Sequence, residues 1–228
     1  MDSKYGALNT VSAVNQLAEG EYSKVYNAGG ELKILFVGNS ITKHGYLAEI
    51  GWFGNWGMAA SCEEKDFVHL VVKELGKKCT VDYSIAQLAN WEREYQDTDN
   101  ILPKEYQSAI DFEADIVVVR IGENMPEIED EKICKENFDK MIKYFCKNPN
   151  AKVVLTNLFW NKAVLNKIIK EVAEDNNYIF CDISDLEKDE KTMAIGLFEH
   201  KGIAVHPGDY GMQCIADRIL NSIAKIKE

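Results

Sequence analysis

The stretch KILFVGNSITKHG, residues 33–45, is an apolar run that stops at a glycine and presents a hydroxyl, Ser40. A serine is a weak nucleophile until a base takes its proton, so the first question is which of the four histidines can approach it. His44, four residues on, suits a shared helical face better than the role of base. His69 lies in an amphipathic helical pattern and reads as structural, while His200 sits in a polar stretch with no evident task. His206, in GIAVHPGDYGM, is followed by a proline and by the start of the last helical pattern, where a rigid turn would hold its ring. On its own His206 reads equally as a loop histidine bonded to backbone and as a base for Ser40.

Elements must bring these distant residues together. Short β-rich runs at 33–37, 80–85, 115–121, 152–156 and 178–183 alternate with longer segments of helical period. Runs such as DIVVVRI are apolar almost throughout, which suits strands covered on both faces in a parallel sheet. The expected fold class is therefore α/β, a three-layer sandwich around a central, mostly parallel five-stranded sheet of flavodoxin-like type. Ser61 with Glu64 forms a capping box before a helix that stops at Gly76; further helices are expected over 131–146, 162–174 and 211–226, the last begun by Asp209. In such sheets the functional crevice lies beyond the carboxyl ends of the strands. The segments there are Gly38-Asn39-Ser40, Gln87 to Glu92, Gly122-Glu123-Asn124 and Asn157 to Asn161. The turn after the first run, with the positive end of a following helix, would aim Ser40 and its amide into that crevice.

Taken in order, these motifs resemble those of the SGNH, or GDSL-type, hydrolase family. The resemblance runs from about Lys33 to the C-terminus. Gly38-Asn39-Ser40-Ile41 stands where the family has its Gly-Asp-Ser-Leu nucleophile block, Gly122-Glu123-Asn124 where it has Gly-x-Asn, and His206-Pro207 where it has the general base. The resemblance implies an SGNH-hydrolase fold and a serine esterase with Ser40 and His206 as catalytic pair. It also implies an oxyanion hole of the Ser40 amide, the Asn124 side chain and one middle-block amide. That middle block, YSIAQLANWERE, lacks the family's glycine, so the amide falls to Ala89 or Ala86, within a stretch that ends at Asn90. The family's aspartate, three residues before the histidine, is Ile203 here. An acid in that place orients the imidazole and stabilises its charged form. Glu123, Glu199 and Glu92 are the carboxylates that could replace it as a third member, and a backbone carbonyl is equally compatible.

Composition narrows the partners. The 228 residues fit one domain, 1–228, in which 1–30 form an N-terminal arm of undecided structure containing a helix near residues 10–18. A net charge of −11 disfavours nucleic acid. With neither a basic leader nor eighteen consecutive apolar residues, the expectation is a cytoplasmic chain with no membrane partner. The six cysteines form no C-x-x-C pair, so no metal is expected and reduced core thiols are favoured; nor is a cofactor, since GNSITKHG fits neither dinucleotide nor P-loop spacing. Beyond the nucleophile, GWFGNWGMAAS carries Trp52, Phe53 and Trp56; with Trp91 and Trp160 these rings would rim a substrate pocket or, equally, fill core. The expected substrate is a neutral small-molecule ester, such as an acetylated saccharide or short-chain ester. The alternative is a binding protein that kept the fold and lost the triad acid. Oligomeric state is left open.

Overall fold

The computed structural model describes Gln16, Leu17 and residues 22–226. Its strands are β1 (Ser23–Tyr26), β2 (Leu32–Gly38), β3 (Val81–Gln87), β4 (Ile116–Arg120), β5 (Lys152–Thr156) and β6 (Ile179–Cys181). Its α-helices are α1 (Phe67–Leu75), α2 (Ala89–Arg93), α3 (Thr98–Glu105), α4 (Gln107–Asp111), α5 (Glu131–Phe145), α6 (Ala163–Asp175), α7 (Lys201–Ala204) and α8 (Asp209–Ile223). The sheet order is β1-β3-β2-β4-β5-β6, parallel throughout except that β1 runs against β3.

The two-residue period of a strand sends alternate side chains into two interiors. Ile34, Phe36, Ile116, Val118 and Val154 enter one, closed by α1 and α8 through Phe67, Val71, Met212 and Ile219. Leu35, Val37, Val117, Val119, Val153 and Leu155 enter the other, closed chiefly by α5 and α6 through Phe138, Ile142, Leu165 and Ile169. With both faces covered, a central strand has no polar side to show, which is why β2 and β4 read as unbroken apolar runs.

Expectations about the sheet and about two helix caps change. The sheet has six strands, not five: β1 lies within the stretch left undecided and pairs Ser23 with Ala86 and Tyr26 with Tyr83. At four residues it is too short to announce itself by alternation. The expected helix near residues 10–18 lies almost wholly outside the described residues. The cap of α1 is Asp66, whose carboxylate accepts from the His69 amide at 2.8 Å, and not the Ser61–Glu64 box. Ser61 instead donates its amide and hydroxyl to Asp209, each at 2.8 Å. Asp209 is thus a helical residue behind the Gly208 cap, and it ties the segment before α1 to the start of α8.

Candidate active site

The chain leaves β2 through a turn that only glycine permits. A Cβ at Gly38 would lie 1.9 Å from Thr42 Oγ1 and 2.8 Å from the Arg120 carbonyl. The Asn39 carbonyl then accepts from the amides of Thr42 and Lys43, both at 2.9 Å, and Met58 N donates to the Ser40 carbonyl at 2.9 Å. Ser40 therefore stands in a pinned turn; no helix follows it, so a helix dipole is not what activates it. His44 shares no helical face with it either. Its Nδ1 lies 2.6 Å from the Gly45 carbonyl, and burial holds its pKa down to about 4.

Ser40 Oγ lies 2.9 Å from His206 Nε2. The other ring nitrogen, Nδ1, lies 2.6 Å from the Gly202 carbonyl, which can only accept. Nδ1 therefore carries the proton, and Nε2 presents a lone pair to the serine hydroxyl. The acceptor comes from the end of α7. The last carbonyls of a helix lack partners within it, and the His206 side chain, four residues past Gly202, supplies one. Trp160 stands edge-on to the imidazole at 4.8 Å and donates its Nε1 to the Val205 carbonyl at 3.3 Å. Burial pulls the His206 pKa down to about 3, against the opposing pull of the Gly202 carbonyl.

No carboxylate takes the place of the missing acid. Ile203 is fully buried with Trp52, Met58, Ala59 and Ala194. Glu199 is exposed. Glu92 and Glu123 lie near the crevice, bound elsewhere in a buried polar cluster. Asn39 Nδ2 donates to Glu92 Oε1 at 2.8 Å and to Glu123 Oε2 at 2.7 Å. Glu92 also accepts from the amides of Gly122 and Asn124, at 2.7 and 3.2 Å, and from Asn124 Nδ2 at 2.5 Å. Glu123 pairs with Arg120 and accepts from Phe159 N at 3.0 Å. Burial and the nearby Glu123 push the Glu92 carboxyl up. Burial would raise Glu123 as well, but the Arg120 guanidinium holds it below its ordinary value.

The middle-block amides are mostly committed. Ala86 is paired within β3, Gln87 N donates to the Tyr22 carbonyl at 2.8 Å, Leu88 N to the Gly38 carbonyl at 2.6 Å, and Ala89 N to Gln87 Oε1 at 3.1 Å. Among the described residues this leaves the amide of Asn90, in the first turn of α2, without a partner in the stretch expected to serve.

The sequence matches no protein-family model and no curated protein sequence. Solved structures do match. A psychrotrophic esterase from Pseudoalteromonas sp., in a form inhibited by monoethylphosphonate, is 16% identical with a TM-score of 0.54, over 86% of this chain and 98% of that one. A two-domain esterase active on acetylated mannans is 17% identical with a TM-score of 0.55, over 86% of this chain and 50% of that one. An active-site mutant of a family two carbohydrate esterase from Clostridium thermocellum is 16% identical with a TM-score of 0.60, over 88% of this chain and 65% of that one. These relatives in shape are SGNH hydrolases. The chain has the SGNH-hydrolase fold.

Within the SGNH fold the chain spans nearly all of the Pseudoalteromonas esterase but only half to two thirds of the two longer esterases. Ser40, Asn124 and His206 occupy one set of strand ends and adjoining loops. The tryptophans do not form the expected rim. Trp52, Trp91 and Trp160 are buried, and Trp56 is half-buried with its Nε1 donating to the Ala60 carbonyl at 2.9 Å. Apolar rings on a loop look the same in sequence whether they turn inward or outward. In the stretch after Ser40, Tyr46 and Phe53 are exposed and meet edge to face at 5.6 Å. Tyr46 follows Gly45 directly and carries no motif that would have singled it out.

Proposed function

We propose that this chain is a serine esterase of SGNH type that removes small acyl groups, acetyl above all, from carbohydrate or short-chain esters. The observation that carries this reading is Ser40 Oγ at 2.9 Å from a His206 Nε2 whose lone pair faces it because Nδ1–H is held by the Gly202 carbonyl. His206 takes the serine proton as Ser40 attacks the ester carbonyl. The Ser40 amide, the Asn124 side chain and the Asn90 amide receive the oxyanion, with Asn90 in place of Ala89. The alcohol leaves with the proton from His206, and water activated by the same imidazole then releases the acid. The carbonyl supplies the orienting half of the missing aspartate's role, fixing the tautomer, and only a dipole in place of its charge.

Substrate size follows from enclosure. Ser40 is 2% exposed and the His206 ring fully buried, which suits an acetyl group better than a long chain. The exposed Tyr46–Phe53 pair offers faces on which a sugar ring can stack, and an esterase active on acetylated mannans shares the fold. A second reading, a binding protein of the same fold, draws on the buried Ile203 where the acid is expected. A fluorophosphonate separates the two. The esterase is labelled and Ser40→Ala is not, while acetylated saccharides are turned over faster than long-chain esters. An unlabelled native chain favours the binding protein.

A further inference from the structure

Glu92 occupies an unusual place for a residue outside the catalytic pair. Its fully buried carboxylate belongs to α2, yet its donors come from the turn after β2 (Asn39) and from the loop after β4 (Gly122 and Asn124). A carboxylate has only acceptors, so every one of those N–H groups is turned toward it and none can exchange roles. The Asn124 side chain is the group on which this matters. With Nδ2 held at 2.5 Å by Glu92 Oε2 and the backbone of the same residue held at 3.2 Å by Oε1, the plane of the amide is set from two points. Setting that plane also sets the direction of the second Nδ2–H bond.

From this geometry we propose that Glu92 is a positioning residue, which aims the Asn124 amide at the developing oxyanion, and that Asn39 is the amide bridge that lets two buried glutamates stand together there. The proposal rests on the hydrolase reading above. It also accounts for asparagine at position 39. The two Nδ2–H bonds of Asn39 go to Glu92 and Glu123, while Oδ1 accepts from Arg120 and from the Ile41 amide, each at 3.3 Å. An aspartate there would set a third carboxylate against two others with one guanidinium between them. The asparagine and the glutamate of α2 are therefore two parts of one arrangement.

The test is a double-mutant cycle on p-nitrophenyl acetate, with rates expressed per fluorophosphonate-labelled serine so that unfolded protein does not count. Glu92→Gln must present an N–H to at least one of the donors now bonded to the carboxylate. It should lower kcat by about 10- to 100-fold with KM within about twofold, since misaiming an oxyanion donor affects the transition state alone. In an Asn124→Ala background the same change should cost less than about threefold, because the group through which Glu92 acts is gone. A purely structural role would instead give losses that multiply. Glu92→Asp, which keeps the charge and retracts it by one methylene, gives the same coupling test should the glutamine variant fold poorly. Unchanged kcat in Glu92→Gln, a loss confined to KM, or multiplying losses would each overturn the positioning role alone. A native chain that neither labels nor hydrolyses the ester would overturn the hydrolase reading, and this one with it.

Discussion

His206 illustrates how one backbone atom can decide the chemistry of a side chain. The Gly202 carbonyl fixes which nitrogen is protonated, and burial keeps the ring neutral, with a pKa of about 3 in place of 6.5. The sign of the consequence is direct. A base must be unprotonated, and a lowered pKa moves the loss of that form to lower pH. The acid limb of kcat/KM, which reports the free enzyme, should therefore lie well below that of an ordinary imidazole. The ratio measured at pH 5 is expected to stay within about twofold of its value at pH 7. Half-loss near pH 6.5 would show that the base is not this buried imidazole.

At the scale of elements, α7 places the Gly202 carbonyl 2.6 Å from His206 Nδ1, the nitrogen that an aspartate would meet in the proposed mechanism. Within its single turn the Lys201 and Ile203 carbonyls accept the amides of Val205 and His206, which leaves the Gly202 carbonyl to the His206 ring, while the Ile203 side chain turns into the cluster of Trp52, Met58, Ala59 and Ala194. Restoring the expected acid should for this reason fail. Ile203→Asp would bury a carboxyl among apolar groups, away from an Nδ1 already occupied, and lower stability by at least about 2 kcal/mol without raising kcat. Urea unfolding and ester hydrolysis measured together check both halves. A faster variant of undiminished stability would mean that the side chain of residue 203 reaches the imidazole. Elsewhere α5 and α6 were readable from their apolar period, because helices of 15 and 13 residues carry several turns of pattern. The four-residue β1 and the five-residue α2 were not, because neither is long enough to show a period.

For the whole molecule the two buried neutral histidines set an acid dependence. His44 and His206 have pKa values held down by burial to about 4 and about 3, against 6.5 for an ordinary histidine. Below pH 6.5 the unfolded chain binds protons at these sites that the folded chain refuses. Stability therefore falls as pH drops from about 6.5 toward 4, at up to about 1.4 kcal/mol per pH unit for each ring. Glu92, pushed upward, works in the opposite direction as it takes up its proton, while Glu123, held low beside Arg120, loses its contribution only at more acid pH. A net loss on the order of 2–4 kcal/mol between pH 7 and pH 5 is expected from denaturant titrations, and His44→Gln should remove a substantial part of that slope. A flat profile would mean that the rings are hydrated or charged in the folded state.

The sequence by itself determined the α/β class and the mostly parallel sheet, because both rest on short-range pattern, the apolar runs of strand length alternating with segments of helical period. The pairing of Ser40 with His206 was an implication of the ordered motifs, and the fold brings the two within 2.9 Å across 166 residues. Only the tertiary structure decided what holds the imidazole, since a carbonyl is present at every residue and carries no letter of its own. It also decided that Glu92 and Glu123 are bonded around Asn39, with Glu92 also holding Asn124, and that neither is hydrogen-bonded to His206. Glu92 lies 53 residues from Asn39 and 32 from Asn124, a meeting that depends on how strands order themselves in the sheet. The inward turn of Trp52, Trp91 and Trp160 was decided in the same way, because an apolar ring follows whichever interior its backbone faces.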